Sequence, residues 1–105
     1  MYEAAWKKRS GDPAVGTDWA VALFYSGDME GAVDRVTAVL EKEPEFQKGW
    51  LNKGIFLTHL GRMQSGEQAG VLYDEARQAF VRAVAIDPAS DAGKSADAFL
   101  SELPK

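Results

Sequence analysis

The sequence contains no cysteine, so it offers neither disulfide bonds nor thiolate chemistry. It has one histidine, His59, and no acidic residue lies close to it along the chain. A metal set or a catalytic triad would need such partners. No apolar run approaches the ~20 residues that a membrane-spanning helix requires. These absences disfavour a metalloenzyme, a thiol enzyme and a membrane span within this sequence.

Basic residues are outnumbered, with 12 Lys and Arg against 16 Asp and Glu and a net charge of −4. Nucleic-acid binding would need a clustered basic patch, so we expect no nucleic-acid partner. The glycines at 61, 66 and 70 lack the Lys-Ser/Thr ending of a phosphate loop. We therefore expect a protein that is not an enzyme, with no cofactor and no metal.

The 105 residues, 46% hydrophobic and 27% charged, are enough for one domain with a modest core. Residues 1–9 lack the order of a signal peptide, basic then apolar. They read as a short helix, either the remnant of a preceding repeat or an N-terminal cap. If the chain is a fragment of a longer protein, a membrane-anchored context stays open, although a cytoplasmic location is favoured.

Apolar residues at helical spacing predict five further helices. Gly27, Pro44, Gly61 and Pro88 are expected to end four of them, and Asp28 suits an N-cap. The predicted helices span about 13 or 18 to 25, 29–42, 45–60, 71–86 and 90–103. Because the connections between the first three of these are short, neighbours there should run antiparallel.

The stretch 62–70 is the irregular part of the pattern. Its glycines favour a loop, whereas Ser65 followed by Gln68 fits a capping box that would start the next helix early. As a loop it could form a contact site of its own or be a tolerated surface excursion.

The run from Tyr73 to Pro88 has an earlier, weaker copy in Gly27 to Pro44, since Ala76 and Ala32 both lie 12 residues before the closing proline. Ala20 and Gly54 lie 34 residues apart, as do Leu23 and Leu57 and also Gly27 and Gly61. A period of 34 residues is that of the tetratricopeptide repeat. The residues that match its pattern are Trp50, Gly54, Gly61, Ala76, Phe80, Ala83 and Pro88, with Gly27, Ala32 and Pro44 in the first unit.

The chain thus resembles a tetratricopeptide-repeat (TPR) domain. The resemblance implies an all-α fold, a right-handed stack of antiparallel helix pairs over residues 1–105. Two repeats, about 13–46 and 47–88, would be followed by a capping helix at about 90–103. Three features depart from the TPR pattern. Trp19 lies three residues after the position of the expected tryptophan, and Lys53 occupies a position where the pattern has leucine. The second unit is ten residues longer than a regular repeat.

By resemblance, the first helix of each pair lines a concave groove that binds a peptide or protein segment. The function implied is that of an adaptor or assembly scaffold of bacterial type. An aromatic residue such as Phe24 is more often part of the core. Leu51 and Ile55 are stronger groove candidates, because Trp50, Gly54 and Leu57 already supply the buried stripe of their helix. Aligned on this pattern, the groove residues are Thr17, Val21, Phe24, Tyr25, Lys48, Leu51, Asn52, Ile55, Thr58 and His59.

One TPR subclass holds acidic C-termini with a clamp of Lys, Asn, Asn, Lys and Arg. The corresponding positions here are Thr17, Val21, Asn52, Ala92 and Ala96, of which Asn52 alone matches. Without paired cations a terminal carboxylate would have no charged partner, which excludes that ligand.

A second hypothesis is self-association. A short helical stack with exposed ends, and with Trp6, Trp19 and Tyr25 to spare, could form a homodimer edge to edge with no separate peptide ligand.

Overall fold

The computed structural model describes residues 13–104, which form helices and connections and contain no strand. The expected all-helical class is confirmed. The helix expected within residues 1–9 lies outside the described residues. The five helices are α1 (Pro13–Tyr25), α2 (Met29–Lys42), α3 (Gln47–Arg62), α4 (Gly66–Ile86) and α5 (Asp91–Glu102).

The helix-terminating and capping residues predicted from the sequence explain most helix ends. Gly27 follows α1 with a φ of 98°, a left-handed conformation that favours glycine at the end of a helix. Asp28 caps α2, its Oδ1 accepting a hydrogen bond of 2.9 Å from the backbone N–H of Gly31. α2 and α4 both end two residues before a proline, at Lys42 and Ile86.

One expectation about the second pair of helices is wrong, because α3 continues through Gly61 to Arg62. Of the two alternatives for the next helix, the early start is the one observed, since α4 begins at Gly66 and not at about residue 71. The connection is therefore three residues, and most of the stretch 62–70 extends α4 instead of forming a loop. Ser65 is the N-cap residue, but its side chain makes no capping hydrogen bond, so the early start does not depend on a capping box.

Gly61 has a packing role in place of the expected terminating one. A Cβ atom at this position would lie 2.7 Å from Cε1 of Tyr73, which is closer than real Cβ contacts allow. The absence of a side chain lets the Tyr73 ring of α4 lie directly on the backbone of α3. Close approach, rather than a left-handed turn, accounts for glycine here.

The helices pack in a regular order. Each helix contacts the next one along the chain, and in addition α1 contacts α3 and α3 contacts α5. Within residues 13–104, the backbones of α2 and α4 do not approach each other closely, although Val33 of α2 packs against a core group to which α4 contributes Phe80. α1, α3 and α5 thus lie side by side, with α2 and α4 covering them.

Two groups of buried residues form the core, and Trp50 and Val33 pack against both of them. The indole Nε1 of Trp50 also donates a 2.7 Å hydrogen bond to the carbonyl of Pro44. Trp50 therefore joins the two helix pairs. The first group comprises Ala20, Ala32, Val36, Leu40 and Phe56, and the second Leu57, Ala76, Phe80, Ala83, Ala96 and Leu103.

The side chain of Gln47, in the first turn of α3, connects that turn to the C-terminal end of α4 and to the residue before α5. Its Nε2 donates to the carbonyls of Ala83, at 2.7 Å, and Asp87, at 2.8 Å. Its Oε1 accepts a 2.8 Å hydrogen bond from Oγ of Ser90, the N-cap of α5. Since the last carbonyls of a helix lack intrahelical donors, this one side chain satisfies groups that α4 leaves open.

Candidate functional site

α1 and α3 lie beside each other and run in the same direction. Val21 of α1 and Asn52 of α3 line one cavity. Nearer the C-terminal ends, the ring of Phe24 lies 4.9 Å from that of Phe56 and 5.0 Å from that of His59. The two first helices of the predicted pairs therefore form adjacent walls of one surface.

The cavity between them has a volume of about 470 Å³. Its apolar part is formed by Val21 and Phe46, and the exposed side chains of Asp18 and Lys48 place opposite charges at its edge. The lining residues are Thr17, Asp18, Val21, Phe46, Gln47, Lys48 and Asn52. Four of the expected groove residues, Thr17, Val21, Lys48 and Asn52, are thus brought together.

Thr17 is 6% exposed, and its Oγ1 has no hydrogen-bond partner within the described part of the chain. Thr58 is equally buried, but its Oγ1 donates a 2.7 Å hydrogen bond to the carbonyl of Gly54. Burial removes Thr58 from the surface on which the sequence pattern placed it. The unpaired hydroxyl of Thr17 lies at the lining of the cavity.

Phe24, Tyr25 and His59 form an aromatic group away from this cavity. The Phe24 ring meets that of Tyr25 edge to face at 5.4 Å and packs against the core through Phe56. Tyr25 is 81% exposed, whereas Phe24 and His59 are half-buried. Of the three, Tyr25 offers the most surface to a partner.

Leu51 and Ile55 are half-buried and pack against the second core group. They lie apart from the cavity between α1 and α3, which neither of them lines. The expectation that Trp50, Gly54 and Leu57 leave these side chains free underestimated α5, which also packs on α3.

Sequence reasoning missed three residues of the cavity, Asp18, Phe46 and Gln47. Phe46 was expected inside a helix that begins at Glu45, but it is the N-cap residue of α3 and lies beside Val21 in the cavity lining. If the predicted helix had started after residue 46 and not at residue 45, Phe46 would have been placed before the helix, where the structure has it.

Among residues 13–104 no group of three or more His, Asp or Glu side chains could hold a metal ion. No helix in the same part of the chain has the length and apolar character needed to cross a membrane.

The chain is similar to an uncharacterized protein of Methanocaldococcus jannaschii, with 33% identity over 67 residues. The match covers 64% of this chain and 66% of the relative, slightly less than two thirds of its length. No protein-family model matches the sequence.

Proposed function

We propose that this chain is a TPR-like protein-interaction module, an adaptor or scaffold that binds a peptide or protein segment between α1 and α3. The observation that carries the proposal is the cavity shared by the first helices of two successive helix pairs. The 34-residue spacing in the sequence agrees with the parallel placement of those helices.

The packing order also supports a TPR-like arrangement. α1 contacts α3 and α3 contacts α5, whereas the backbones of α2 and α4 do not approach each other closely within the described residues. In solenoid proteins the first helices of successive pairs lie on the inner side, where ligands bind, and we propose the same placement for α1 and α3.

The chemistry of the cavity suits a peptide. Val21 and Phe46 can receive one apolar side chain, and a volume of about 470 Å³ is within the range of specific ligand pockets. The amide of Asn52, which lines the cavity, can donate to and accept from a peptide backbone. Lys48 and Asp18 at the edge favour a ligand that carries both signs of charge.

Selection from a random peptide display library on the immobilised protein tests this proposal. We expect selected peptides to lose about tenfold or more in affinity towards Asn52→Ala, because one lost polar contact in a shielded site is worth about 1–2 kcal/mol. Lys94→Ala, on the exposed surface of α5, is the control and should bind as the wild type does. Selected peptides that bind both variants equally would contradict the assignment of the groove.

The exposed Tyr25 favours a second candidate, self-association without a peptide ligand. At 81% exposure its ring leaves apolar surface in water that a second copy could cover. Sedimentation equilibrium at tens of micromolar tests this candidate. A dimer in the wild type that Tyr25→Ser dissociates would support it, and a strict monomer would remove it.

A further inference from the structure

A second cavity, of about 600 Å³, lies where the first turn of α2, the end of α3 and the start of α4 meet. It shares no residue with the cavity between α1 and α3. The lining residues are Glu30, Leu60, Gln64, Glu67, Gln68, Val71 and Leu72, and we refer to them as the α4 groove.

The additional residues of the second pair build one side of this groove. Gln64, Glu67 and Gln68 belong to the stretch by which that pair exceeds the regular repeat, and Val71 follows directly. Because residues 66–70 continue α4 as helix, Glu67 and Gln68 stand on a rigid element, and Glu30 of α2 lines the same groove. The added turns thus create a surface that a regular pair would lack.

The floor of the α4 groove is apolar. Leu60 and Leu72 are half-buried, and Val71 is 57% exposed although it lies on a helix packed against the core. Met63, in the adjoining connection, is 66% exposed. Each exposed apolar side chain would gain about 25 cal/mol for every Å² that a partner covers.

The charge of the groove has one sign. Glu30 and Glu67 are both exposed, no lysine or arginine lines the groove, and neither carboxylate forms an ion pair with another described residue. Each glutamate stands in the first turn of its helix, where it also interacts favourably with the macrodipole. Interaction with the macrodipole explains why each glutamate lies in a first turn. It does not explain why both carboxylates lie at the edge of the same apolar surface.

We infer that the α4 groove binds a short segment of a partner protein in which one or two apolar side chains are flanked by lysine or arginine. The apolar side chains cover Leu60, Val71 and Leu72, and the cations pair with Glu30 and Glu67. Charge complementarity selects this occupant, since an acidic segment would meet two carboxylates of its own charge. The site is separate from the groove of the proposed function and does not depend on it.

The probe is a synthetic amphipathic peptide of leucine and lysine, compared with the same peptide in which glutamate replaces lysine. Binding is followed by amide shifts of the ¹⁵N-labelled full chain. We expect the lysine peptide to shift the amides of residues 64–72 and Glu30, and the glutamate peptide to shift none of them. The affinity should fall with added salt, because exposed charges are screened.

Two matched pairs of variants locate the site. Glu30→Gln/Glu67→Gln should weaken binding about tenfold, whereas Asp97→Asn/Glu102→Gln, which removes the same charge from α5, should not. Val71→Asn should weaken binding, whereas Val81→Asn, at a 53% exposed valine of the same helix outside the groove, should not. Because all these side chains are substantially exposed, the variants are expected to stay folded, which circular dichroism checks.

Equal losses in the control variants would mean non-specific attraction to an acidic protein and would overturn the proposal. Shifts confined to Val21, Lys48 and Asn52 would assign the peptide to the other groove and would also overturn it. A concentration-dependent dimer that Val71→Asn dissociates, with no peptide binding, would make a second copy the occupant instead.

Discussion

The ring of Phe80, on α4, lies directly against the backbone of Gly54, on α3. A Cβ atom at Gly54 would stand 2.6 Å from Cδ1 of that ring and 2.7 Å from its Cζ. Tyr73 meets Gly61 in the same way, one heptad along each helix in opposite directions. Two glycines facing two aromatic rings therefore fix the antiparallel register of α3 and α4.

Gly54→Ala should destabilise the protein. Phe80 is fully buried and stacks on Phe99 at 5.2 Å, so its ring has little room to move. We expect overpacking of about 1–3 kcal/mol to exceed the ~1 kcal/mol that alanine gains in a helix, a net loss of up to about 2 kcal/mol. Urea denaturation measures the change.

Gly70→Ala is the matched control for that substitution. Gly70 lies in α4, is exposed, and has open space where its Cβ would be placed. Here the helix propensity acts alone, and the stability should rise by up to about 1 kcal/mol. Changes of the same sign at both glycines would contradict the packing explanation.

Gln47→Ala should loosen the junction of α3, α4 and α5. The substitution leaves the carbonyls of Ala83 and Asp87 and the hydroxyl of Ser90 without this partner. With each net hydrogen bond worth about 0.5–1.5 kcal/mol, we expect a loss of about 1–3 kcal/mol by urea denaturation. Gln78→Ala, at an exposed glutamine of α4, should change stability by less than about 0.5 kcal/mol.

Thr17→Val tests the cost of an unpaired hydroxyl. Because an unsatisfied buried polar group costs about 1–3 kcal/mol, we expect the thermal and urea midpoints to rise, with a gain of about 1 kcal/mol. The same substitution at Thr58 removes a 2.7 Å hydrogen bond and should not stabilise the protein. A stabilised Thr17→Val protein that binds selected peptides less tightly would link this hydroxyl to the ligand.

Residues with strong local effects made much of the fold predictable. Pro44 and Pro88 cannot continue a helix, Gly27 accepts a left-handed conformation, and Asp28 caps the next helix, so α2 has the predicted bounds. The end of α4 likewise falls just before its proline. Local conformational preference decided all of these positions.

Glycine and insertion effects were less predictable because they depend on tertiary contacts. Gly61 has the spacing of a helix stop, yet it remains helical and accommodates Tyr73. Residues 66–70 contain two glycines but continue α4. At these positions packing between helices outweighs the local preference for a turn.

The residues that line the groove between α1 and α3 were predictable only in part, again because exposure depends on tertiary contacts. The 34-residue spacing aligned Val21 with the helix that carries Lys48 and Asn52, and these residues do line one cavity. The spacing carried no information about the second core group, against which Leu51 and Ile55 pack, or about α5, which also packs on α3. Which face of a helix remains open depends on every neighbour, including those outside the repeat.

Site-specific photocrosslinking in cells of the native host tests the central claim most directly. The photoreactive amino acid p-benzoylphenylalanine replaces Lys48, at the edge of the cavity, or Lys94, an exposed residue of α5. We predict that position 48 captures a defined polypeptide that position 94 does not, and that Asn52→Ala reduces its yield. Equal capture at both positions, or none at position 48 while the protein is folded and present, would contradict a peptide-binding groove between α1 and α3.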